Sequence, residues 1–514
     1  FAADVRSVAS KVLMLQLPYP CADQHGKDLR DWCAEDEWTF SDVVALLVEW
    51  EALLRYRLEV FGEGAQRSTE PRPLNLLDQT DVANGKHFAD YAGLLLRYVH
   101  RWKHWLAWDG LRWRRDDTGR PLSVAKSVLR EMEADAAEDH LKLKWVQKSS
   151  QMQKSSAMIA ASADHLAVSI GDLDRHCWLF NCANGTIDLR TGTLHNHRQS
   201  DLLTAVSPTE FDPDAQCPRW EQFLDEVFCN CRDVIPFLQR WFGSCLSGDT
   251  RDQLLPVLHG DGSNGKSTLL NTVKAVIGND YTRQALSDLL IVKRNEGHPT
   301  ELADLYGARL VVCAETEADR RLAESKLKAL TGGEPVRARR MREDFWEFIP
   351  EAKFVLVTNH LPQVWGSDYG IWRRLLLVPF GRQFRDDEKD PELPDRLMEE
   401  RAGILAWLVR GCLAWREDGL AVPQHIRDAT LEYAGSQDVV QLFFNDCIDE
   451  GAGCSVSARS LRERFQSWAM DCGQPPLSMK KVGAWLTQRG FKRRKQSTWI
   501  WDGICIKNQN EADQ

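Results

Sequence analysis

One loop in this 514-residue sequence has the residue types and the spacing of a phosphate-binding site. It begins at Gly260, ends with Gly265, Lys266 and Ser267, and matches the pattern G-x-x-x-x-G-K-[ST]. Such a loop turns its backbone N–H groups toward phosphate oxygens, the lysine reaches the β and γ phosphates, and the serine hydroxyl can hold Mg²⁺. We therefore predict that ATP and Mg²⁺ bind here. The predicted binding residues are Gly260, Gly262, Ser263, Asn264, Gly265, Lys266, Ser267 and Thr268.

Carboxylate and amide side chains follow two further apolar runs, where a nucleotide site would use them. Glu315 comes directly after residues 309–314, and Glu317 lies two positions further on. A carboxylate at this point can hold Mg²⁺ and polarise the attacking water, so Glu315 joins Ser267 as a predicted metal ligand. Asn359 ends the second run and can orient that water. Each of these residues alone is equally consistent with an ordinary cap or turn.

Two arginines precede a third apolar run. Arg373 and Arg374 come directly before residues 375–378. A guanidinium supplied across a subunit boundary accelerates phosphoryl transfer by roughly 10³- to 10⁵-fold in related enzymes. The pair therefore predicts catalysis between neighbouring subunits. The predicted catalytic residues are Lys266, Glu315, Glu317, Asn359, Arg373 and Arg374.

The elements that would position these residues alternate between strands and helices from residue 237 to residue 384. The apolar run at residues 254–259 predicts a strand before the loop, and apolar residues from Leu269 to Ile277 recur at helical spacing behind it. This alternation predicts an α/β fold with a parallel sheet. A chance glycine-rich turn is the alternative, and the flanking strand and helix disfavour it.

Composition limits the class of protein and its partners. Hydrophobic residues make up 43% of the chain and charged residues 27%, and no apolar run reaches the roughly 20 residues that span a bilayer. The 14 cysteines are spread through the sequence, which suits reduced thiols in the cytoplasm. A net charge of -10 argues against a surface covered with nucleic acid. Any DNA contact must be local, and residues 337–342 and 489–495 are dense basic clusters.

Glycine, proline and charged stretches divide the chain into five predicted parts. In the last part Ser478 begins a predicted helix, Gly490 ends it, and a basic hairpin follows. This is a winged-helix pattern, which can bind either duplex DNA or a protein partner, and the basic wing favours DNA. Its predicted DNA contacts are Lys492, Arg493 and Arg494. The parts are an α/β fragment at 1–61, an α-rich accessory domain at 74–236, a motor at 237–384, a helical region at 385–447 and a winged-helix-like domain at 448–514.

Several motifs together resemble superfamily 3 AAA+ helicases, of the kind carried by phage and plasmid primase-helicases and by the poxvirus primase-helicase. Residues 184–192 resemble the accessory domain that precedes the motor in this family. The sequence departs from the family at Pro256, in the strand before the loop, and at Glu334, where aspartate is usual. The motor motifs are residues 264–267, residues 326–334 followed by Arg339, Thr358 with Asn359, and Trp372 with Arg373 and Arg374.

The resemblance implies a hairpin that binds DNA. In the family this hairpin projects into a ring channel and grips phosphates, and here residues 336–340 and 346–349 would pair to form it. A surface network of ion pairs with Glu343 and Asp344 is the alternative. Arg374 directly precedes a strand, as the family's arginine finger does, so we prefer it to its neighbour as the finger. The implied hairpin contacts are Lys328, Arg337, Arg339, Arg340 and Arg342.

The N-terminal segment carries a weaker resemblance. Residues 12–18 and 26–32 resemble the last strand and the tail of a Toprim-type primase domain, and a generic α/β fragment is the alternative. The sequence opens without methionine, as an internal piece of a longer polypeptide would. In the first case a primase domain or a primase partner would lie upstream and this chain itself would lack primase chemistry, and the sequence favours neither case over the other.

The family resemblance implies an ATP- and Mg²⁺-dependent helicase that assembles as a ring, expected to be a hexamer. It would translocate on single-stranded DNA, open forked DNA, and serve a mobile genetic element in the cytoplasm of a bacterial host. The alternative is a nucleotide-switched origin-binding or scaffold protein without unwinding activity, and Glu315 and Arg374 favour turnover over such a switch. A motor that pumps duplex DNA into a capsid fits the basic clusters less well.

Overall fold

The computed structural model describes residues 79–285, 289–292, 300–314, 320–341, 344–364, 369–437, 439–472 and 478–507. All of these residues belong to one of the chain's two structural units, Asn75–Gln514. The predicted fragment at 1–61 lies outside the described residues, and so do Glu315, Glu317 and Arg342.

The first part of the described chain combines helices with two small antiparallel sheets. Strands β1 to β3 form one sheet and β4 to β6 the other. The Trp113 side chain is fully buried, and its indole N–H donates to the Gln199 carbonyl at 2.9 Å. The elements are α1 (Asp81–Ala92), β1 (Leu96–Val99), β2 (His104–Trp108), β3 (Trp113–Arg115), α2 (Arg120–Asp135), α3 (His140–Ser149), α4 (Met152–Ser162), β4 (Leu179–Cys182), β5 (Gly185–Asp188) and β6 (Thr193–His195).

Alternating strands and helices follow, as the sequence predicts. Two helices lead into the first strand of this region, and a short hairpin, β10–β11, is inserted before the fourth strand of the main sheet. The elements are α5 (Pro218–Val227), α6 (Val234–Ser244), β7 (Leu255–His259), α7 (Lys266–Ile277), β8 (Thr282–Ala285), α8 (Thr300–Ala303), β9 (Leu310–Ala314), α9 (Glu324–Thr331), β10 (Val336–Ala338), β11 (Trp346–Phe348), β12 (Lys353–Thr358), α10 (Tyr369–Trp372) and β13 (Leu375–Pro379).

Five of these strands form a sheet in the order β13-β7-β12-β9-β8, and every neighbouring pair is parallel. The predicted α/β fold with a parallel sheet is therefore confirmed. All six residues of β12 are buried, which is expected of a parallel strand covered on both faces. Pro256 lies in β7, an interior strand of the sheet, and the pairing of β7 with β12 begins only at Val257. Because proline has no N–H to donate, this shortened ladder accommodates it.

The two faces of the sheet pack against separate hydrophobic cores. Val355 and Val357 of β12 point to one core, and Phe354 and Leu356 point to the other. This alternation follows from the two-residue period of a strand. The first core includes side chains of α5, α6 and α7, so these helices cover one face and reach the end of the sheet where the phosphate-binding loop begins.

The C-terminal elements form a helical region and a small α/β part. Strands β14, β16 and β15 make an antiparallel sheet in that order. Its own core contains Phe443, Phe465, Trp468 and Trp501. The elements are α11 (Leu393–Glu399), α12 (Arg401–Asp418), α13 (Gln424–Gln437), α14 (Val439–Cys447), β14 (Ile448–Ser457), α15 (Ala458–Asp471), α16 (Met479–Gln488), β15 (Lys492–Lys495) and β16 (Trp499–Ile506).

Helices α6 and α12 approach each other closely enough for their backbones to touch. A Cβ placed on Gly411 would lie 2.1 Å from the backbone oxygen of Gln239, and one on Gly243 would lie 2.3 Å from the backbone nitrogen of Cys412. Neither contact can be relieved by a side-chain rotation, because the opposing atoms are backbone.

In the described part of the chain, no helix is long and apolar enough to cross a membrane.

We expect Gly411→Ala to destabilise this helix pair by about 1–3 kcal/mol, the usual cost of overpacking a well-packed core. Gly435→Ala is the matched control, because Gly435 is exposed on α13 and a Cβ there would meet nothing within 4 Å. Thermal unfolding of both variants should show a lowered midpoint for Gly411→Ala and an unchanged or raised midpoint for the control. Equal midpoints would contradict the close packing.

Candidate functional site

The predicted phosphate-binding loop lies at the carboxyl end of β7, and α7 begins directly behind it at Lys266. Gly265 has a left-handed φ of 86°, and a Cβ placed there would lie 2.8 Å from Cγ2 of Val227 on α5. The backbone conformation and the close approach both require glycine at this position. Gly262 differs, because its φ is not left-handed and a Cβ there would meet nothing within 4 Å. The conformation of the loop therefore does not itself require glycine at 262.

The Lys266 side chain is 5% exposed, and its ammonium group points back into the loop. Nζ donates to Oδ1 of Asn264 and to Oδ1 of Asn359, each at 3.1 Å, and also to the Gly260 carbonyl. Asn359 directly follows β12, whose last residue, Thr358, pairs with the last residue of β7. The parallel register thus brings Lys266 and Asn359, both predicted as site residues, into contact.

Ser267 and Thr268 lie in the first turn of α7, and Ser267 is exposed. A hydroxyl beside a helix N-terminus and a buried ammonium fits the phosphate end of a nucleotide. It also fits Mg²⁺, which takes oxygen ligands and keeps several waters. Within the described ranges, no three or more His, Cys, Asp or Glu side chains are grouped to hold a metal ion. Ala314 ends β9 and pairs with Val357 of β12, so Glu315 follows a neighbouring strand end while itself lying outside those ranges.

His259 ends β7 immediately before the loop, and sequence reasoning did not single it out. Burial lowers the pKa of its imidazole, and the Lys266 ammonium acts in the same direction, while a hydrogen bond with the Asn359 backbone opposes both. The imidazole is therefore neutral near pH 7 and adds no second positive charge beside the lysine. Its position directly before Gly260 is the signal that could have identified it.

The segment after β13 holds the loop from the outside. The Phe384 N–H donates to the Ser263 carbonyl at 2.7 Å, and a Cβ on Gly260 would lie 2.5 Å from the Phe380 carbonyl oxygen. The Arg382 guanidinium lies 4.3 Å from the centre of the Phe384 ring. Sequence reasoning missed the contacts of Phe384 with Ser263 and of Phe380 with Gly260, because each joins residues more than 100 positions apart.

Arg373 and Arg374 lie at the opposite end of the sheet. Leu375 of β13 pairs with the first residue of β7, so both arginines are at the amino ends of these strands. About five residues of strand, at roughly 3.3 Å each, separate them from the phosphate-binding loop. Neither arginine can therefore reach the loop of its own subunit.

The two arginines differ in exposure. Arg374 is 8% exposed, whereas Arg373 is exposed to solvent. The Arg374 guanidinium donates through Nε to Oγ1 of Thr331 at 3.2 Å and through Nη1 to the Gly370 carbonyl at 2.6 Å. Nη2 of each arginine donates to Oε1 of Gln253, at 2.9 Å from Arg373 and 3.1 Å from Arg374.

Strands β10 and β11 pair in antiparallel register, with Val336 opposite Phe348, so the predicted hairpin is present, with strands shorter than the predicted 336–340 and 346–349. Arg337 and Arg339 are exposed, and their guanidinium groups lie 4.5 and 4.8 Å from the centre of the Phe345 ring. Phe345 was not among the predicted residues, although its position between the two strands of the hairpin could have indicated it. The hairpin therefore presents cations together with an aromatic ring.

The hairpin also contacts the N-terminal part of the described chain. The Arg340 guanidinium lies 5.9 Å from the centre of the Trp102 ring, and Nη2 of Arg101 donates to the Phe345 carbonyl at 3.0 Å. Lys328 is half-buried and belongs to α9, not to the strands of the hairpin. The structure thus brings Arg337, Arg339 and Arg340 together and leaves Lys328 on a separate element.

The second basic cluster is β15, whose four residues are all exposed. The Arg493 guanidinium lies 4.1 Å from the centre of the Trp499 ring. Arg494 donates through Nε to the Asp502 carboxylate at 2.8 Å, so part of its charge is offset within the sheet. Lys492 and Arg493 are the better-placed members of the cluster for contact with an anion.

We expect Gly265→Ala to lower both nucleotide affinity and the unfolding midpoint, because the added Cβ is strained at this φ and meets Val227 on α5. Gly262→Ala is the matched change in the same loop and should leave the unfolding midpoint of the free protein unaltered. Titration with a fluorescent ATP analogue and thermal unfolding check both expectations. Equal losses in the two variants would show that this loop geometry is wrong.

Comparison with known proteins gives two family matches and several viral relatives. Residues 85–229 match the family described as "D5 N terminal like", and residues 258–374 match a family of unknown function, DUF5906. A "Putative helicase" of Acanthamoeba polyphaga mimivirus is 27% identical over 331 residues, which are 58% of this chain and 33% of that protein. A "Putative primase" of African swine fever virus is 25% identical over 236 residues, which are 44% of this chain and 24% of that protein.

Another relative, a "Putative helicase" of Invertebrate iridescent virus 3, is 24% identical over 309 residues, covering 53% of this chain and 33% of that protein. The chain thus spans about a third or less of the length of these viral proteins. The solved apo structure of the NrS-1 C-terminal region aligns with 80% of this chain and 96% of that chain, at 12% identity and a TM-score of 0.47. The two family matches and the viral relatives thus make the chain similar to viral proteins named as putative helicases and primases.

Proposed function

We propose that this chain is the motor part of a ring-forming replicative DNA helicase that hydrolyses ATP and translocates on single-stranded DNA. One observation carries the proposal: the buried Lys266 ammonium is held between Asn264 and Asn359 where two parallel strands end. In open α/β sheets, ligands bind outside the carboxyl ends of the strands, where neighbouring connections diverge. The loop after β7 occupies such a point, because β7 lies between β12 and β13.

The topology supports the finer fold assignments. The parallel sheet with a phosphate-binding loop after β7 fits an AAA+ P-loop motor. The C-terminal order α14, β14, α15, α16, β15, β16, with an antiparallel sheet, fits a winged helix whose wing is the β15–β16 hairpin. The part before the motor, which includes the D5 N terminal like match, fits the accessory domain.

In this proposal the side chains at the loop have separate roles. Lys266 exchanges its contacts with the Gly260 carbonyl and the two asparagines for the β and γ phosphates of ATP. Asn359, already in contact with that lysine, orients the attacking water. The Ser267 hydroxyl and the Glu315 carboxylate would hold Mg²⁺, with Glu317 nearby in sequence. When bound, Mg²⁺ neutralises charge on the phosphates.

The arginine pair supports hydrolysis between subunits. Arg373 and Arg374 lie at the end of the sheet away from their own loop, so they can act only on a nucleotide held by a neighbour. The sequence position favours Arg374 as the arginine finger. Solvent exposure favours Arg373, because Arg374 is buried. Separate substitution of each arginine decides between them.

The alternative function is a nucleotide-switched origin-binding or scaffold protein. The exposed basic strand β15 is the observation in its favour, because duplex binding needs no unwinding.

The expected partners remain single-stranded and forked DNA, other copies of this chain in a hexamer, and an upstream primase domain or primase partner. The cytoplasm of a bacterial host that carries a mobile element remains the predicted location.

A strand-displacement assay on forked DNA separates the two functions. A helicase releases the displaced strand only when ATP is supplied, and Lys266→Ala should abolish release under the same conditions. If the chain hydrolyses ATP and binds the fork but releases no strand at any enzyme concentration, the switch function is favoured and the helicase proposal is wrong.

Mixed subunits provide the test of catalysis between neighbours. Arg374→Ala retains an intact loop and Lys266→Ala retains an intact arginine pair, so a mixed boundary can combine the working halves. We expect each variant alone to be inactive and mixtures to recover part of the hydrolysis rate. The same mixing with Arg373→Ala identifies the finger. Co-assembly without any recovery would exclude an arginine supplied by the neighbour.

The two basic clusters should affect different kinds of DNA. Replacing Arg339 and Arg340 by alanine should weaken single-strand binding and reduce its salt dependence by about 0.7 in log–log slope for each phosphate that the protein no longer neutralises. Replacing Lys492, Arg493 and Arg494 should instead weaken duplex binding and largely spare translocation on single strands. Binding isotherms over a salt series on both substrates, with thermal unfolding as the control for folding, measure these effects. Identical losses on both substrates would refute the division.

A further inference from the structure

Gln253 lies in the turn between α6 and β7 and has an unusual backbone conformation. Its φ is 56°, in the left-handed region that disfavours residues with a Cβ. Such a conformation persists only where the surroundings hold it, and it is frequent at functional sites. Sequence reasoning did not identify this residue, because its partners lie about 120 positions further along the chain.

The Gln253 carboxamide joins the arginine pair. Its Oε1 accepts from Nη2 of Arg373 at 2.9 Å and from Nη2 of Arg374 at 3.1 Å. A neutral amide oxygen can accept from two guanidinium groups without cancelling their charge, whereas a carboxylate would cancel part of it. The adjacent Asp252 carboxylate accepts a hydrogen bond from Nε1 of Trp415 at 2.7 Å.

The same carboxamide reaches the element that leads to the basic hairpin. Gln253 Nε2 donates to the Gly332 carbonyl at 3.4 Å, and Thr331, the last residue of α9, accepts from Nε of Arg374. From Gly332 the chain runs through three residues to β10. Hydrogen bonds therefore link the arginine pair to the end of α9, just before the first strand of the hairpin.

We propose that Gln253 is a positioning residue that holds Arg373 and Arg374 in one orientation and ties them to the end of α9. The inference rests on the proposed function, in which this pair acts on the nucleotide of a neighbouring subunit. The carboxamide oxygen accepts from both guanidinium groups and, being neutral, does not offset their charge. It also transmits their displacement to the hairpin through Gly332 and Thr331.

Two substitutions test the positioning role of Gln253 and add no strain to its left-handed backbone. Gln253→Gly removes the carboxamide, and because glycine suits the left-handed backbone, relief of strain offsets part of the cost of the lost hydrogen bonds and the variant should still fold. Gln253→Glu keeps the size but pairs a carboxylate with both arginines. We expect each variant to lower kcat for ATP hydrolysis by at least ten-fold while KM for ATP changes less than three-fold, because the loop that binds ATP in the same subunit is untouched.

Mixing distinguishes positioning of the arginines from a general structural role. Gln253→Gly subunits mixed with Lys266→Ala subunits should recover hydrolysis. The Lys266→Ala subunit supplies an intact arginine pair, and the Gln253→Gly subunit supplies an intact loop. Suppose that Arg373→Ala or Arg374→Ala impairs hydrolysis but Gln253→Gly keeps the wild-type kcat. That result overturns this inference and leaves the proposed function standing. A wild-type chain that does not hydrolyse ATP overturns both the inference and the proposed function.

Discussion

The parallel pairing of β7 with β12 on one side and β13 on the other determines which end of the sheet each reactive side chain occupies. At the carboxyl ends, this register brings Asn359 to the Lys266 ammonium. At the amino ends, it places Arg373 and Arg374 beyond reach of that loop. In the proposed function these two groups are half-sites, and a complete phosphoryl-transfer site would form only where two chains meet.

Close packing supports both half-sites. On one side, α5 meets the loop at Gly265, and the segment after β13 holds it through Ser263. On the other side, the arginine pair is linked through Gln253 and Thr331 to the helix before the basic hairpin. In the proposed function this link would pass a movement at the arginine pair to the hairpin, because packed elements shift as units rather than deform continuously.

The parallel sheet and the loop could be predicted from the sequence because both depend on local pattern: β12 is a continuous buried run, and the loop motif spans eight residues. The burial of Arg374 and the exposure of Arg373 could not be predicted from the sequence. Neighbouring residues face opposite sides, and the packing of α9 decides which of the two side chains is covered. The role of Gln253 depends on contacts between distant segments. Gly262 occupies a variable position of the motif, and the loop geometry requires no glycine there.

The measurement that tests the central claim most directly is the ATP hydrolysis rate of the purified Lys266→Ala variant, with thermal unfolding measured on the same sample. The account predicts a loss of at least about 100-fold, comparable to removing a charge-stabilising donor from an active site, with the unfolding midpoint close to that of the wild type. Hydrolysis near the wild-type rate in a folded variant would contradict the assignment of this loop as the nucleotide site of a motor.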